Sequence, residues 1–257
     1  MPWTHESSDP NSAEAVAYRD RQLKAAEHLH AQDRKRFMAG LAAGKRVLSL
    51  GCVDHDFDLR TDWWLHDILA TTAAELIGVD YDAVGIEKMR AAGYDVIQAD
   101  ITEDISAVLA HGPFDVVVAG EIIEHVRDPQ SVLDIASGLL APGGQLLITT
   151  PNPYAPWRVR AGQRGLSWEN VDHVVYCFPA GIAEMADRSG MRLVAFGSLN
   201  ITGRSDSLRA SVKEWARHKK HGQALSPVWV SPLDALVMKI RGGFMLAETA
   251  VYLLEPS

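Results

Sequence analysis

The sequence predicts an α/β protein built on a mainly parallel sheet with helices on both faces. Five short apolar runs end in glycine, an acid or threonine, helix-like stretches lie between them, and β-branched residues crowd the runs. The runs are Arg46-Val-Leu-Ser-Leu-Gly51, Ala74-Glu-Leu-Ile-Gly-Val-Asp80, Tyr94-Asp-Val-Ile-Gln-Ala-Asp100, Phe114-Asp-Val-Val-Val-Ala-Gly120 and Gln145-Leu-Leu-Ile-Thr-Thr150. Helices are expected over 60–73, 83–92, 102–111 and 129–140, and a further helix near 179–190 precedes two last strands at 191–197 and 247–254.

Residues 13–44 have helical composition, with Ala, Leu, Arg, Lys and Glu dominant and no Pro or Gly before Gly40. They predict an N-terminal helical extension over 1–44, followed by one domain over 45–257. Residues 198–246 break the alternation and carry Arg204, Arg209, Lys213, Arg217, Lys219 and Lys220 against Asp206, Glu214 and Asp234. That stretch reads as an insertion, either a lid with a basic face or a solvated helix.

Composition bounds the function. The 257 residues suffice for a large core, and 47% hydrophobic with 23% charged residues is ordinary for a globular chain. The net charge of −8 counts against a long nucleic-acid partner, which a protein meets with excess basic charge. Cys52 and Cys177 form no CxxC pair, so neither a disulfide framework nor a zinc knuckle is expected. Met1-Pro-Trp-Thr-His-Glu6 has no apolar signal-peptide core, and no run is long enough for a membrane span. A cytoplasmic enzyme is the simplest reading.

In open α/β sheets, ligands bind beyond the carboxyl ends of the strands. Gly51 there permits a sharp turn and close backbone approach to a ligand. Asp80 is placed for two ribose hydroxyls and Asp100 for a nucleobase amino group. A nicotinamide cofactor fits poorly, because Gly51-Cys-Val-Asp-His-Asp56 lacks two of the three fingerprint glycines.

Together, Val47-Leu-Ser-Leu-Gly-Cys52, Gly78-Val-Asp-Tyr-Asp82, Gln98-Ala-Asp-Ile101, Phe114 to Glu121 with Glu124-His125 and Asp128-Pro129, and Leu139-Leu-Ala-Pro-Gly-Gly-Gln-Leu146 resemble the class I S-adenosylmethionine-dependent methyltransferases. The resemblance is to their small-molecule group, including ubiquinone-pathway and sugar O-methyltransferases, and covers residues 45–197. It implies a Rossmann-like, doubly wound, seven-stranded sheet whose last strand is antiparallel. It also implies S-adenosylmethionine as cofactor, with the Gly51 turn at the methionine part, Asp80 at the ribose, Asp100 with Ile101 at the adenine, and Cys52, Val53 and Tyr81 as further cofactor-binding residues. Gly120 and Glu121 would close the same pocket. The sequence departs from the family's Gly-x-Gly-x-Gly, since Val53 and His55 stand at the second and third glycines.

After the fourth run, Glu121, Glu124 and His125 would share a face if the chain is helical there. With His173 they could hold a divalent cation such as Mg²⁺ or Mn²⁺, resembling metal-dependent O-methyltransferases; alternatively His125 acts without metal as a general base oriented by Glu124, or only shapes the pocket. The loop Pro151-Asn-Pro-Tyr-Ala-Pro-Trp157 resembles the acceptor side of the same group. Tyr154, Trp157, Trp168 and Tyr176 offer ring faces there; Arg158, Arg160 and Arg164 are either anion contacts or solvated. Trp63 and Trp64 are expected to pack the first helix on the sheet. The resulting expectation is O-methylation of a small hydroxylated metabolite such as a sugar, phenol or polyketide. An inactive cofactor-binding scaffold and a metal-dependent RNA 2′-O-methyltransferase are the alternatives. Acceptor, regiochemistry and oligomeric state are left open by the sequence.

Overall fold

The apolar runs become strands because they alternate between two covered faces. The computed structural model describes residues 2–29, 34–54, 64–103, 105–163, 165, 169–199, 208–221, 233, 236 and 247–257. A 3-10 turn at Pro2–His5 leads to α1 (Ala13–Ala25), whose first turn is capped by Ser12, its hydroxyl accepting from the Ala15 N–H at 3.1 Å. Then come β1 (Glu27–Leu29), α2 (Arg34–Ala42), β2 (Arg46–Leu50), α3 (Leu65–Ala70), β3 (Glu75–Asp80), α4 (Ala83–Ala91) and β4 (Val96–Gln98). They are followed by α5 (Ser106–Leu109), β5 (Phe114–Gly120), α6 (Pro129–Leu139), β6 (Leu140–Pro151), α7 (Pro156–Gln163), α8 (Pro179–Arg188), β7 (Met191–Leu199), α9 (Leu208–His221) and β8 (Thr249–Pro256). Asp82 and Asp128 cap α4 and α6, and Pro129 sits in the first turn of α6, where its missing N–H is harmless.

The strands form one sheet in the order β1-β7-β8-β6-β5-β2-β3-β4. Every pairing is parallel except those of the last strand, β8, which runs antiparallel to both β6 and β7. The α/β class and the antiparallel last strand therefore agree with expectation. The strand count does not: the sheet has eight strands, not seven.

The extra strand is β1, inside a stretch whose composition is helical throughout. Ala26 turns extended, and Glu27, His28 and Leu29 pair with Ala195, Phe196 and Gly197. The approach is so close that a Cβ on Gly197 would lie 2.0 Å from the Leu29 carbonyl oxygen. Pairing at a glycine overrides the local helix propensity of three residues.

One face of the sheet gathers Leu48, Leu50, Val117, Ala119, Leu146, Ile148 and Tyr252 under α6 and α8. The opposite face gathers Val47, Val116, Val118, Leu147 and Val251 under α2 and α3. The strand order reverses between β2 and β5, so the crevice beyond their carboxyl ends is where this architecture binds ligands. Among the described residues no helix is long and apolar enough to cross a membrane.

Candidate active site

The turn after β2 is set by Gly51, whose φ is +64°. A Cβ there would meet Ile122 Cδ1 at 2.7 Å, so the ends of β2 and β5 close together only around a glycine. The Gly51 and Cys52 N–H groups both donate to the Val79 carbonyl, at 2.9 and 3.2 Å. Cys52 turns inward, its Sγ 3.8 Å from Met89 Sδ, and burial pushes its thiol well above the usual range. The Trp64 indole N–H donates to the Cys52 carbonyl at 2.9 Å, so Trp64 pins this turn as well as packing at the start of α3.

Val53 shows how the missing second glycine is accommodated. Its N–H donates to Asp80 Oδ2 at 2.9 Å. Its side chain points at α4, where a Cβ on Gly85 would lie 2.3 Å from Val53 Cγ1. Bulk added to the loop is thus absorbed by bulk removed from the helix. His55, at the third glycine's position, and Trp63 lie outside the described residues.

Beneath the turn, His66 is 1% exposed and packs against Trp64 and Tyr94 at ring distances of 5.5 and 5.4 Å. Neither of its ring nitrogens has a hydrogen-bond partner among the described residues, and burial pushes its imidazole down from 6.5 to about 4. A depressed folded-state value means stability that is complete above pH 6.5 and lost as pH falls toward 4. The expected loss from this one group is about 2–3 kcal/mol between about pH 7 and pH 4.5. Thermal unfolding at the two pH values should show it, with a smaller difference in His66→Phe.

Asp80, at the end of β3, is mostly buried and accepts from two backbone N–H groups, Val53 to Oδ2 and Asp82 to Oδ1 at 3.0 Å. It holds the Gly51 turn and the start of α4 in one geometry, and its remaining lone pairs are available to hydroxyl donors. Tyr81, next to it, is 70% exposed. Asp100 is exposed and accepts from the Thr102 N–H and hydroxyl at 2.8 and 2.7 Å, while Ile101 is buried. At the end of β5, Gly120 leaves room for Leu65, whose Cδ2 would lie 2.1 Å from an added Cβ.

Beyond Gly120 the chain makes bends and turns, not a helix. Glu121 adopts φ +54°, a left-handed conformation that costs a non-glycine residue roughly 1–2 kcal/mol. This separates Glu121 from the face that helical spacing would give it. Its N–H donates to the Thr149 carbonyl at 2.8 Å, and its buried Oε1 has no hydrogen-bond partner among the described residues. Burial pushes its carboxyl up, opposed chiefly by Arg34.

Arg34 was not among the residues that sequence reasoning selected. It opens α2, is nearly buried, and interacts electrostatically with Glu121 and Asp54. A signal was present: Arg34-Lys-Arg36 places three cations at a helix N-terminus, against the macrodipole. Such a placement makes sense where the first cation serves something beyond the helix.

Glu124 is fully buried. Its Oε2 accepts from the Thr150 hydroxyl at 3.0 Å, its Oε1 has no hydrogen-bond partner among the described residues, and burial together with Glu121 pushes it up to about 8. Its carbonyl accepts from the Val174 N–H at 2.8 Å, which ties the post-β5 turn to the segment carrying Asp172 and His173. His125 Nδ1 lies 3.0 Å from Asp172 Oδ2, and its ring meets His173 edge-on at 4.7 Å. His173 Nδ1 is 3.3 Å from Glu169 Oε1, an ion-pair distance without hydrogen-bond alignment. Ligand atoms of Glu124, His125 and His173 lie within 4.8 Å of one another; Glu121 is not in that group. Helical spacing fails because the left-handed turn intervenes.

The acceptor-side residues divide. Trp157 is buried with Arg158 stacked 4.2 Å from its ring, and Tyr154 and Tyr176 are exposed. Arg158 is held internally: Nε donates to Glu169 at 2.5 Å, and Nη1 donates to the Asn152 and Glu248 carbonyls at 3.2 Å. Its role here is to bind the loop together. The Arg160 side chain, Arg164 and Trp168 lie outside the described residues.

Comparison with known proteins names the class. A methyltransferase domain family matches residues 18–195, and the chain belongs to that family. It is a class I S-adenosylmethionine-dependent methyltransferase domain, and S-adenosylmethionine is that family's cofactor. Among curated relatives, the ubiquinone biosynthesis O-methyltransferase of Psychrobacter arcticus is 29% identical over 63% of this chain and 65% of its own. That of Pseudomonas aeruginosa is 35% identical over 44% of this chain and 47% of its own. The matches thus span between about half and just under two thirds of these relatives. In fold, the chain resembles one in the complex of the Haloferax volcanii Trm112 methyltransferase activator with a methyltransferase, at TM-score 0.56 and 14% identity over 94% of this chain and 92% of that one. It likewise resembles an S-adenosylmethionine-dependent methyltransferase of Archaeoglobus fulgidus, at TM-score 0.51 and 16% identity over 99% and 98%.

Proposed function

We propose that this chain transfers a methyl group from S-adenosylmethionine to a hydroxyl oxygen of a small acceptor, with His125 as the proton acceptor. The observation that carries the proposal is the His125–Asp172 pair at 3.0 Å, at the carboxyl end of β5 beside the glycine turn. The O-methyltransferase names of the curated relatives support the choice of oxygen.

The chain's own groups fit the cofactor. Gly51 gives a turn that a Cβ would close, Asp80 offers a mostly buried carboxylate, and Arg34 is a nearly buried cation for the methionine carboxylate. Tyr81, Asp100, Ile101 and Gly120 complete the proposed pocket, with Cys52 and Val53 contributing backbone. The bound donor supplies a methyl group already activated by its sulfonium. The protein must then hold an acceptor lone pair in line with that methyl and take away the hydroxyl proton. Asp172 holds the His125 ring through Nδ1, which directs the opposite nitrogen, Nε2, to the acceptor hydroxyl. Glu124, buried behind it with a carboxyl oxygen that has no hydrogen-bond partner among the described residues, would bond the acceptor or hold a cation.

A cation is the second reading, favoured by the Glu124, His125 and His173 cluster. Its mixed carboxylate and imidazole donors suit Mg²⁺ or Mn²⁺ less well than an all-oxygen set, and Zn²⁺ or Fe²⁺ better. Carboxylates facing both Nδ1 atoms match the usual support of ligating histidines. A cation there would lower the acceptor hydroxyl's pKa.

Methyl-labelled donor offered with a dihydric phenol, a sugar and an aromatic amine distinguishes the readings. An O-methyl product from a hydroxylated acceptor is expected. Label on the amine alone would contradict oxygen transfer, and loss of turnover in EDTA with recovery on Mn²⁺ or Zn²⁺ would favour the cation. Retained cofactor binding without transfer to any acceptor would favour an inactive scaffold.

A further inference from the structure

α9 is amphipathic, yet the described side chains of its apolar face are exposed. Leu208, Val212, Trp215 and Ala216 recur at the spacing of one helical stripe. Every described side chain of the helix is exposed, including Val212 at 43% and Trp215 at 44%. A helix stabilised by the core would bury that stripe; here Val212, Trp215 and Ala216 are all exposed.

The neighbouring face is basic. Arg209, Lys213, Arg217 and Lys220 follow one another at helical spacing beside the apolar stripe, with Glu214 the helix's one acid. Lys219 falls within the stripe, and its Nζ lies 5.9 Å over the Trp215 ring, so its stem can lie along apolar surface while the ammonium reaches outward. This concentration of positive charge occurs in a chain whose net charge is −8. The acidic remainder is repelled by an anionic surface that attracts α9, which would orient the molecule with this helix inward.

We propose that α9 is a docking surface for an anionic phospholipid bilayer, with Trp215 and Val212 entering the interface and Lys213, Arg217 and Lys220 at the headgroups. A large amphipathic contrast, low mean hydropathy, a tryptophan on the apolar side and lysine and arginine on the other are the features of a helix lying in a membrane interface. A nucleic-acid backbone would reward the cations and leave the apolar stripe unused.

The test is co-sedimentation of the full chain with vesicles of phosphatidylcholine alone and with roughly 30% phosphatidylserine added. Binding to the anionic vesicles is expected, weakened by salt as surface charge is screened. Trp215→Ala should lower the bound fraction about fivefold or more, and Lys213→Glu with Arg217→Glu should abolish binding. Unchanged affinity for S-adenosylhomocysteine in these variants would show the fold intact. Equal binding to both vesicle types, no binding to either, or no effect of Trp215→Ala would overturn the proposal. Tight binding of single-stranded RNA that displaces the vesicles would overturn it in favour of a nucleic-acid surface.

Discussion

His125→Ala is expected to reduce kcat for methyl transfer by at least about 100-fold, the usual scale for loss of a positioned general base. Affinity for S-adenosylhomocysteine should stay the same, because the ring is held by Asp172 and His173 and not by the glycine turn. The split separates chemistry from cofactor binding. A ring that merely shaped the pocket would change KM for the acceptor and leave kcat nearly intact. Steady-state kinetics with an acceptor found by the labelling experiment make the measurement, and full turnover in the alanine variant would remove His125 from the reaction.

Asp80→Ala should weaken S-adenosylhomocysteine binding by about 2–3 kcal/mol, or roughly 30- to 150-fold. The substitution removes a charged acceptor from two backbone N–H groups, Val53 and Asp82, as well as from the proposed ribose. The Gly51 turn loses its link to the start of α4. Asp80→Asn is expected to fall between, since the amide oxygen can still accept one of these bonds. Calorimetric titration of both variants gives the comparison, and affinity equal to wild type in Asp80→Ala would reject the assignment.

The strands were legible because buried parallel strands read as apolar runs, and their carboxyl ends pointed to Gly51, Asp80 and Gly120 without any tertiary information. β1 was not. Glu27-His-Leu29 has no apolar run, and its extended form comes from pairing at Gly197, far along the chain. Helical spacing grouped Glu121 with Glu124 and His125, but spacing says nothing of a residue at φ +54°, and the turn divides them. His173 lies in the same neighbourhood, brought there by the bond from the Val174 N–H to the Glu124 carbonyl. Its neighbour Asp172 faces His125. Val53 looked like an obstruction because its partner, Gly85, is a helix residue whose lack of a side chain has no meaning until the two are seen in contact. Arg34 was hidden by its place in a helical stretch; only burial beside Glu121 and Asp54 gives it a role.

Titration of the wild-type chain with S-adenosylhomocysteine by calorimetry, in EDTA, tests most directly whether this reshaped glycine turn holds the cofactor. Saturable one-to-one binding is predicted, because Gly85 absorbs Val53 and Arg34 and Asp80 remain in place. No heat of binding at any concentration of ligand would contradict the account and leave the fold without the cofactor on which the proposed chemistry depends.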